Sequence, residues 1–227
     1  MEFPGAMTGW FDFDTDFIRK RYNRLAPIYP FFEYVFWLPQ GIRSRATSKL
    51  GLTAGSRVLE VGCGTGRNFA PLVRCVGLTG HIYGVDISEG MLAIAERECR
   101  RREWRNVTLL KQNAHDYALS EPMDGVLFSL SYEVIPRHRE ALQHAWAQLR
   151  PGGRLVVLGQ TTPPGKLGRW LRPLGILTSR ATVLGDPDRC PWDDLRRHTE
   201  LVDHERLRFG YYICRGTKRK DENSRHL

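Results

Sequence analysis

The chain has 227 residues, 41% of them hydrophobic, and a formal net charge of +9. That length suits one α/β domain with a sizeable core, and no apolar run approaches the roughly 20 residues a membrane-spanning helix needs. The start lacks a basic stretch followed by an apolar core, and the five cysteines are scattered without C-x-x-C spacing, so reduced thiols, no metal site and a cytoplasmic location are expected. The positive surplus favours an anionic partner: nucleic acid, anionic lipid or an acidic substrate.

Residues 10–50 read as an N-terminal helical extension, and 1–6 are set aside as a flexible end. Asp14 or Thr15 can cap a helix through about Leu25, and Pro27 and Pro30 break it. A further helix is expected over about 42–50. Between them, residues 31–38 form an aromatic run with two readings. It packs on the domain as a lid, or it touches a membrane with help from Arg19, Lys20, Arg21, Arg24, Arg43 and Arg45.

Val58, Leu59 and Val61 read as a short buried strand. Gly62, Gly64 and Gly66 follow at alternate positions, then a helical pattern of Phe69, Leu72, Val73 and Val76. Strand, glycine turn and helix start make the first unit of a nucleotide-binding α/β domain. Glycine lets the backbone turn sharply and approach a ligand, and the helix start offers unpaired N–H groups. The dinucleotide fingerprint would want glycine at position 67. Arg67 stands there instead, and the third glycine comes one position early. A second strand over 81–88 carries Asp86, where such domains place a carboxylate able to accept from both ribose hydroxyls.

Ser88 is a plausible N-cap and Glu89 complements the helix dipole. Met91, Leu92, Ile94 and Ala95 give that helix a buried face. A third strand over 107–110 leads into Gln112-Asn113-Ala114-His115-Asp116. A fourth, over 124–130, ends at Ser131-Tyr132-Glu133. The carboxyl ends of parallel strands face the ligand crevice, so Ser129, Ser131, Tyr132 and Glu133 should look into it. A helix over 137–149 closes on Leu149-Arg150-Pro151-Gly152-Gly153, which starts strand five. Residues 162–190 read as an inserted loop, with a basic, apolar centre at 168–177. A short helix over 192–198 and two strands over 201–208 and 209–215 follow, the last antiparallel. The basic tail 217–227 is expected to be flexible.

The pattern Glu60-x-Gly62-x-Gly64-x-Gly66 resembles motif I of class I S-adenosylmethionine-dependent methyltransferases, and the 149–153 turn is a second mark of that family. Tyr22-Asn23-Arg24-Leu25-Ala26-Pro27-Ile28-Tyr29 resembles the "Tyr-Asp-x-Leu-Ala-x-x-Tyr-Asp" stretch of the ubiquinone/menaquinone-biosynthesis methyltransferases. The chain is also similar to bacterial phospholipid N-methyltransferases. The likeness is good over about 58–157 and loose elsewhere. It implies a Rossmann-like, mostly parallel seven-stranded sheet with helices on both faces and an antiparallel last strand, over 51–216. It implies S-adenosylmethionine as cofactor and S-adenosylhomocysteine as product. Glu60, Gly62, Cys63, Gly64, Thr65 and Gly66 would hold the cofactor. So would Asp86, Ile87, Ser88, Met91, Asn113, Ala114, His115 and Ser129, with Tyr22 and Tyr29 lining the pocket. Asn23 and Pro30 stand where the family has acids, so no role for those acids carries over. Asn113 also replaces an acid beside the adenine. Its amide oxygen can still accept a hydrogen bond, with Asp116 as a shifted equivalent.

The sulfonium methyl is already activated, so transfer mainly needs a nucleophile held in line and water excluded. A base matters only if the acceptor arrives protonated. His115, His138, Tyr132 and Glu133 are the candidates, with Tyr132 and Glu133 expected to position the acceptor. Three readings of the acceptor stand. The first is a small or amphiphilic molecule, such as a phospholipid amine or a hydrophobic metabolite, met at an anionic membrane surface. The second is RNA or protein, suggested by charge alone and with nucleic acid the weaker choice. The third has no acceptor: a non-catalytic module that binds the cofactor.

Overall fold

The computed structural model describes residues 13–29, 41–161, 185–186 and 188–220. The aromatic run 31–38, the centre of the inserted loop at 168–177 and the last residues of the tail lie outside these. Helix α1 (Thr15–Leu25) starts where Asp14 accepts from the Phe17 amide at 2.6 Å, and it buries Ile18. A 3₁₀ turn, Ala26–Ile28, carries Pro27 at its start. Helix α2 (Ile42–Lys49) follows and buries Ile42, Ala46 and Thr47.

The rest alternates strands and helices: β1 (Arg57–Val61), α3 (Phe69–Val76), β2 (His81–Asp86), α4 (Glu89–Arg101), β3 (Val107–Lys111) and β4 (Met123–Ser129). Then come α5 (His138–Ala147), β5 (Leu149–Gln160), α6 (Pro191–Arg196), β6 (Val202–Arg206) and β7 (Tyr211–Thr217). The seven-stranded sheet has the order β3-β2-β1-β4-β5-β7-β6. β1 to β5 are parallel, and β7 runs antiparallel to both of its neighbours. The sequence order reverses between β1 and β4, which puts a crevice at their carboxyl ends.

Successive side chains of a strand face opposite ways, so the central strands fill two cores. Leu59, Val61, Val126, Phe128, Leu155 and Val157 meet Leu142, Ala145 and Trp146 of α5. Val58, Ile82, Leu127 and Val156 meet Ala46 of α2 and Phe69, Leu72 and Val76 of α3. A sheet buried on both faces wants near-continuous apolar strands, which is why β1 and β4 read so clearly. Several boundaries shift by about two residues: β2 ends at Asp86, and a 3₁₀ turn at Arg208–Gly210 moves β7 to Tyr211–Thr217. α5 ends at Ala147, because Leu149 already pairs with Met123 and the 150–153 turn is an irregularity inside β5.

Two long-range attachments set the extension against this frame. Asn23 of α1 accepts through Oδ1 from the Ser88 hydroxyl at 2.8 Å and from the Gly90 amide at 3.0 Å. The approach at Gly90 is close: a Cβ there would stand 3.1 Å from the Ala26 Cβ. Arg45 and Lys49 of α2 pair with Glu205, and Lys49 also with Asp203, both acids on β6. Among the described residues no helix is long and apolar enough to cross a membrane.

Candidate active site

A cleft opens over the carboxyl ends of β3, β2, β1 and β4. Its empty space comes to about 890 Å³, the open mouth included, a size that suits a small-molecule ligand. Glu60, Gly62, Cys63, Gly64, Thr65 and Asn68 line it after β1, Asp86, Ile87 and Met91 after β2, and Gln112 to His115 after β3. Ser129, Leu130 and Ser131 line it after β4, followed by Val134, Ile135 and Pro136. The extension supplies the remaining wall with Thr15, Ile18, Tyr22, Tyr29 and Arg43.

The three loop glycines do different things. All have positive φ, +70° at Gly62, +53° at Gly64 and +77° at Gly66, where a Cβ is strained. At Gly64 nothing lies within 4 Å of an added Cβ, because that side is the cleft itself. At Gly66 a Cβ would stand 2.6 Å from the Phe69 ring and 3.3 Å from Ala95. Gly66 therefore serves helix packing and does not line the cleft. The Thr65 hydroxyl, also on the wall, is buried with no hydrogen-bond partner among the described residues.

The acids at the strand ends are each held. Asp86 accepts from the amides of Gly64 and Ser88, both at 2.8 Å. Burial pushes its pKa up, and these backbone donors oppose the shift. Glu60 accepts from the Asn68 amide nitrogen at 2.5 Å. The Asn68 oxygen in turn accepts from Arg43 at 3.3 Å, and the same guanidinium nitrogen donates to the Ser129 hydroxyl at 3.2 Å. Ser88 is fully buried and does not reach the wall. It caps α4 by accepting from the Met91 amide and fastens Asn23.

His115 lies on the wall with Nε2 3.0 Å from an Arg137 nitrogen. Arginine only donates, so Nε2 accepts. Burial first, and the Arg137 charge second, lower the His115 pKa, which keeps the ring neutral at pH 7. Tyr22 is pushed well above the ordinary phenol range by burial first and Tyr29 second, with Asp86 and Glu133 adding to the rise.

Tyr132 and Glu133 stand behind the wall rather than on it. The Tyr132 hydroxyl is fully buried and donates to Asp194 at 2.7 Å, with its ring edge-on to Phe128 and His138. It is thus no direct acceptor contact, because its hydroxyl points at α6. Glu133 accepts from the Tyr212 hydroxyl. Burial drives its pKa up to about 7, against the Tyr212 bond and the Arg189 charge. The 131–136 loop is clamped from outside by Arg189, which donates to the carbonyls of Tyr132 at 2.8 Å and Ile135 at 2.5 Å.

Residues 58–153 match the family described as Methyltransferase domain. Over that stretch the chain is similar to methyltransferase domains. Demethylmenaquinone methyltransferases from Geobacillus sp. (strain WCH70) and Staphylococcus aureus (strain JH9) are similar to this chain. They are 28% and 31% identical over 66% and 64% of it, and over 62% and 58% of their own lengths. The chain thus spans about three fifths of the length of these curated relatives. Among solved structures, phosphoethanolamine N-methyltransferase 2 of Haemonchus contortus, in complex with phosphomonomethylethanolamine and S-adenosylhomocysteine, superposes with a TM-score of 0.68 at 17% identity. That match covers 84% of this chain and 46% of the other. At this identity the likeness is one of fold. The cleft therefore sits in a fold that the two proteins share.

Asn68 and Arg189 were not singled out by sequence reasoning, and Arg43 and Asn23 were noted without the contacts they make here. Asn68 had a local signal, since it follows the glycine loop directly. The other three act across 25 to 86 positions of sequence, and only the fold brings their partners near.

Proposed function

We propose that the protein transfers a methyl group from S-adenosylmethionine to a small or amphiphilic acceptor. The observation that carries this is one continuous cleft running from Asn113 across Asp86 and the glycine loop to Ser131, with the Gly64 face left open by the missing Cβ. The donor set fits the cofactor. Asp86 offers carboxylate oxygens to ribose hydroxyls, Asn113 an amide to a purine edge, Met91 and Ile87 apolar surface, and Thr65 a buried hydroxyl in need of a partner. When bound, S-adenosylmethionine supplies an activated methyl on a sulfonium.

The chain's own part is to orient and to exclude water. Ile18, Tyr22 and Tyr29 cover the cleft from the extension. Val134, Ile135 and Pro136 give the acceptor side an apolar wall, which favours a hydrophobic or amphiphilic acceptor over a highly charged polymer. The 131–136 loop holds that wall in place through Arg189. Neutral His115 on the cleft wall can take a proton from an acceptor that arrives protonated. The methyl acceptors named by the relatives, a demethylmenaquinone and a phosphorylated ethanolamine, are of the small or amphiphilic kind. Peripheral contact with an anionic membrane would suit such an acceptor and the +9 charge.

The test is to incubate the protein with methyl-labelled S-adenosylmethionine and a cell extract, then partition between organic solvent and water. Label in the organic phase is expected. Label confined to RNA or protein would overturn the small-acceptor reading. Turnover with no acceptor fraction, despite tight cofactor binding, would overturn the transfer itself.

A further inference from the structure

The carboxyl edge of the sheet carries more than the cleft. β5 runs parallel to β4, and β7 runs antiparallel to β5 with Tyr211 opposite Gln160. The turn between β6 and β7 therefore stands at the same edge as the cleft, beyond β5. Its Phe209 has φ +60° and ψ +28°, the left-handed region that a bulky side chain rarely takes. Phe209 is 74% exposed. Strain held at an exposed position gives the core nothing, which points to a role at the surface. Arg206 and Arg208, before it in the same turn, are exposed as well. The acids next along β6 are already engaged, Glu205 by Arg45 and Lys49 and Asp203 by Lys49.

Helix α1 borders the cleft on the β2 and β3 side. Its inner face lines the cleft with Thr15, Ile18 and Tyr22. Phe17, Lys20, Arg21 and Arg24 recur at spacings of three and four, which gathers them on another face of the helix. Phe17 stacks on Phe13 with ring centroids 4.7 Å apart, and the Arg21 guanidinium lies 6.0 Å from both rings. Lys20 and Arg24 are exposed, and so is Ile28 in the turn that follows. Among the described residues both exposed phenylalanines thus stand at the cleft edge, whereas the exposed Leu78 and Leu201 precede β2 and β6 at the opposite edge.

We propose that this edge is a docking face for an anionic lipid bilayer: Phe209 enters the interface beside Arg206 and Arg208, and α1 lays Phe17, Lys20 and Arg24 on the same surface across the cleft mouth. A bilayer offers an apolar layer beneath negative headgroups, which matches an exposed ring flanked by cations. A nucleic-acid duplex would match the cations alone. The docking face deepens the methyl-transfer reading and rests on it for its purpose. An amphiphilic acceptor would pass from the layer that holds it into a cleft set between the two anchors.

The experiment is sedimentation of the full chain with vesicles of phosphatidylcholine alone and with vesicles of equal parts phosphatidylcholine and phosphatidylglycerol, at physiological salt. Wild type is expected to prefer the anionic vesicles by about tenfold or more. Phe209→Gly relieves the left-handed strain, so it should melt no lower than wild type and yet bind those vesicles about tenfold more weakly. Arg208→Gln and Arg24→Gln should each lose about fivefold. All three variants should keep wild-type affinity for S-adenosylhomocysteine. Equal binding to both kinds of vesicle, or binding to neither, would overturn the proposal. So would full vesicle binding in all three variants, because the charge would then act from elsewhere on the body. Tighter binding to an RNA or DNA oligonucleotide than to the anionic vesicles, lost in the same variants, would overturn it in favour of a nucleic-acid face. A Phe209→Gly variant that melts well below wild type would do the same, since the ring would then be packing against the protein. The methyl-transfer reading fails separately: vesicle binding without any transfer of label would sink that reading and leave the docking face standing.

Discussion

Replacing Gly66 and Gly64 by alanine separates two roles that look identical in sequence. Gly66 has φ +77°, and a left-handed residue with a Cβ costs roughly 1–2 kcal/mol. Its Cβ would also stand 2.6 and 2.7 Å from two atoms of the Phe69 ring. Phe69, the first residue of α3, is wholly buried in the core on that face of the sheet, so it cannot swing aside. Overpacking of this kind adds about 1–3 kcal/mol. Gly66→Ala should therefore lose about 2–5 kcal/mol, a drop in Tm of about 4–20 °C for a chain of this size. Gly64, at φ +53°, has nothing within 4 Å of a Cβ. Gly64→Ala should lose only about 1–2 kcal/mol of stability from the backbone conformation. Its methyl would project into the cleft, and S-adenosylhomocysteine should bind about tenfold or more weakly. Urea unfolding of both variants, paired with calorimetric titration, reads the two effects apart. The reasoning is refuted if Gly66→Ala stays within about 1 kcal/mol of wild type, or if Gly64→Ala proves the less stable of the two.

Three further outcomes are expected. The pKa of Glu133 is raised to about 7 by burial, so the folded state holds its proton more tightly than the unfolded chain does. That contribution is complete below about pH 4.5 and is lost as the pH rises through about 7, so Glu133→Gln should gain up to about 3 kcal/mol at pH 8 and nothing near pH 4. Denaturation across that range checks it, and a constant difference would contradict it. Asn23→Ala removes the acceptor for Ser88 and Gly90, which should cost about 1–2 kcal/mol and speed amide exchange along α1 more than along α4. Tyr132→Phe takes a buried donor from Asp194, so about 1–2 kcal/mol of stability should go while kcat stays within about threefold. A collapse of kcat at unchanged stability would return Tyr132 to the reacting atoms.

The parts legible in the sequence are those where short-range chemistry decides. Val58 to Val61 read as a strand because both sheet faces demand apolar side chains, and the glycines after it read as a turn because their φ values demand them. Asp14 was legible as a cap, since the cap and its amide are three residues apart. Tyr22 and Tyr29 were placed at the cleft through family likeness rather than through spacing, and both do line it. What stayed hidden depends on distant pairings. Glu133 follows Ser131 in a loop that faces the crevice, yet its carboxylate turns to Tyr212, 79 positions on. Tyr132 likewise turns to Asp194 on α6. A strand end fixes where the backbone leaves the sheet, not which way the next side chains turn.

The ion pairs between α2 and β6 carry a consequence for the order in which the protein is made. Lys49 and Asp203 are 154 positions apart, and Arg45 and Glu205 are 160 apart. Helix α2 is thus synthesised before any strand of the sheet, and its partners on the edge strand come after β1 to β5. Until β6 emerges, the helix that carries Arg43 lacks its outer anchor, although β1 to β4 and the glycine loop are already available to fold. A nascent chain halted before β6 should hold α2, and the cleft wall it carries, loosely. The outer wall of the cleft would then wait on the edge strand.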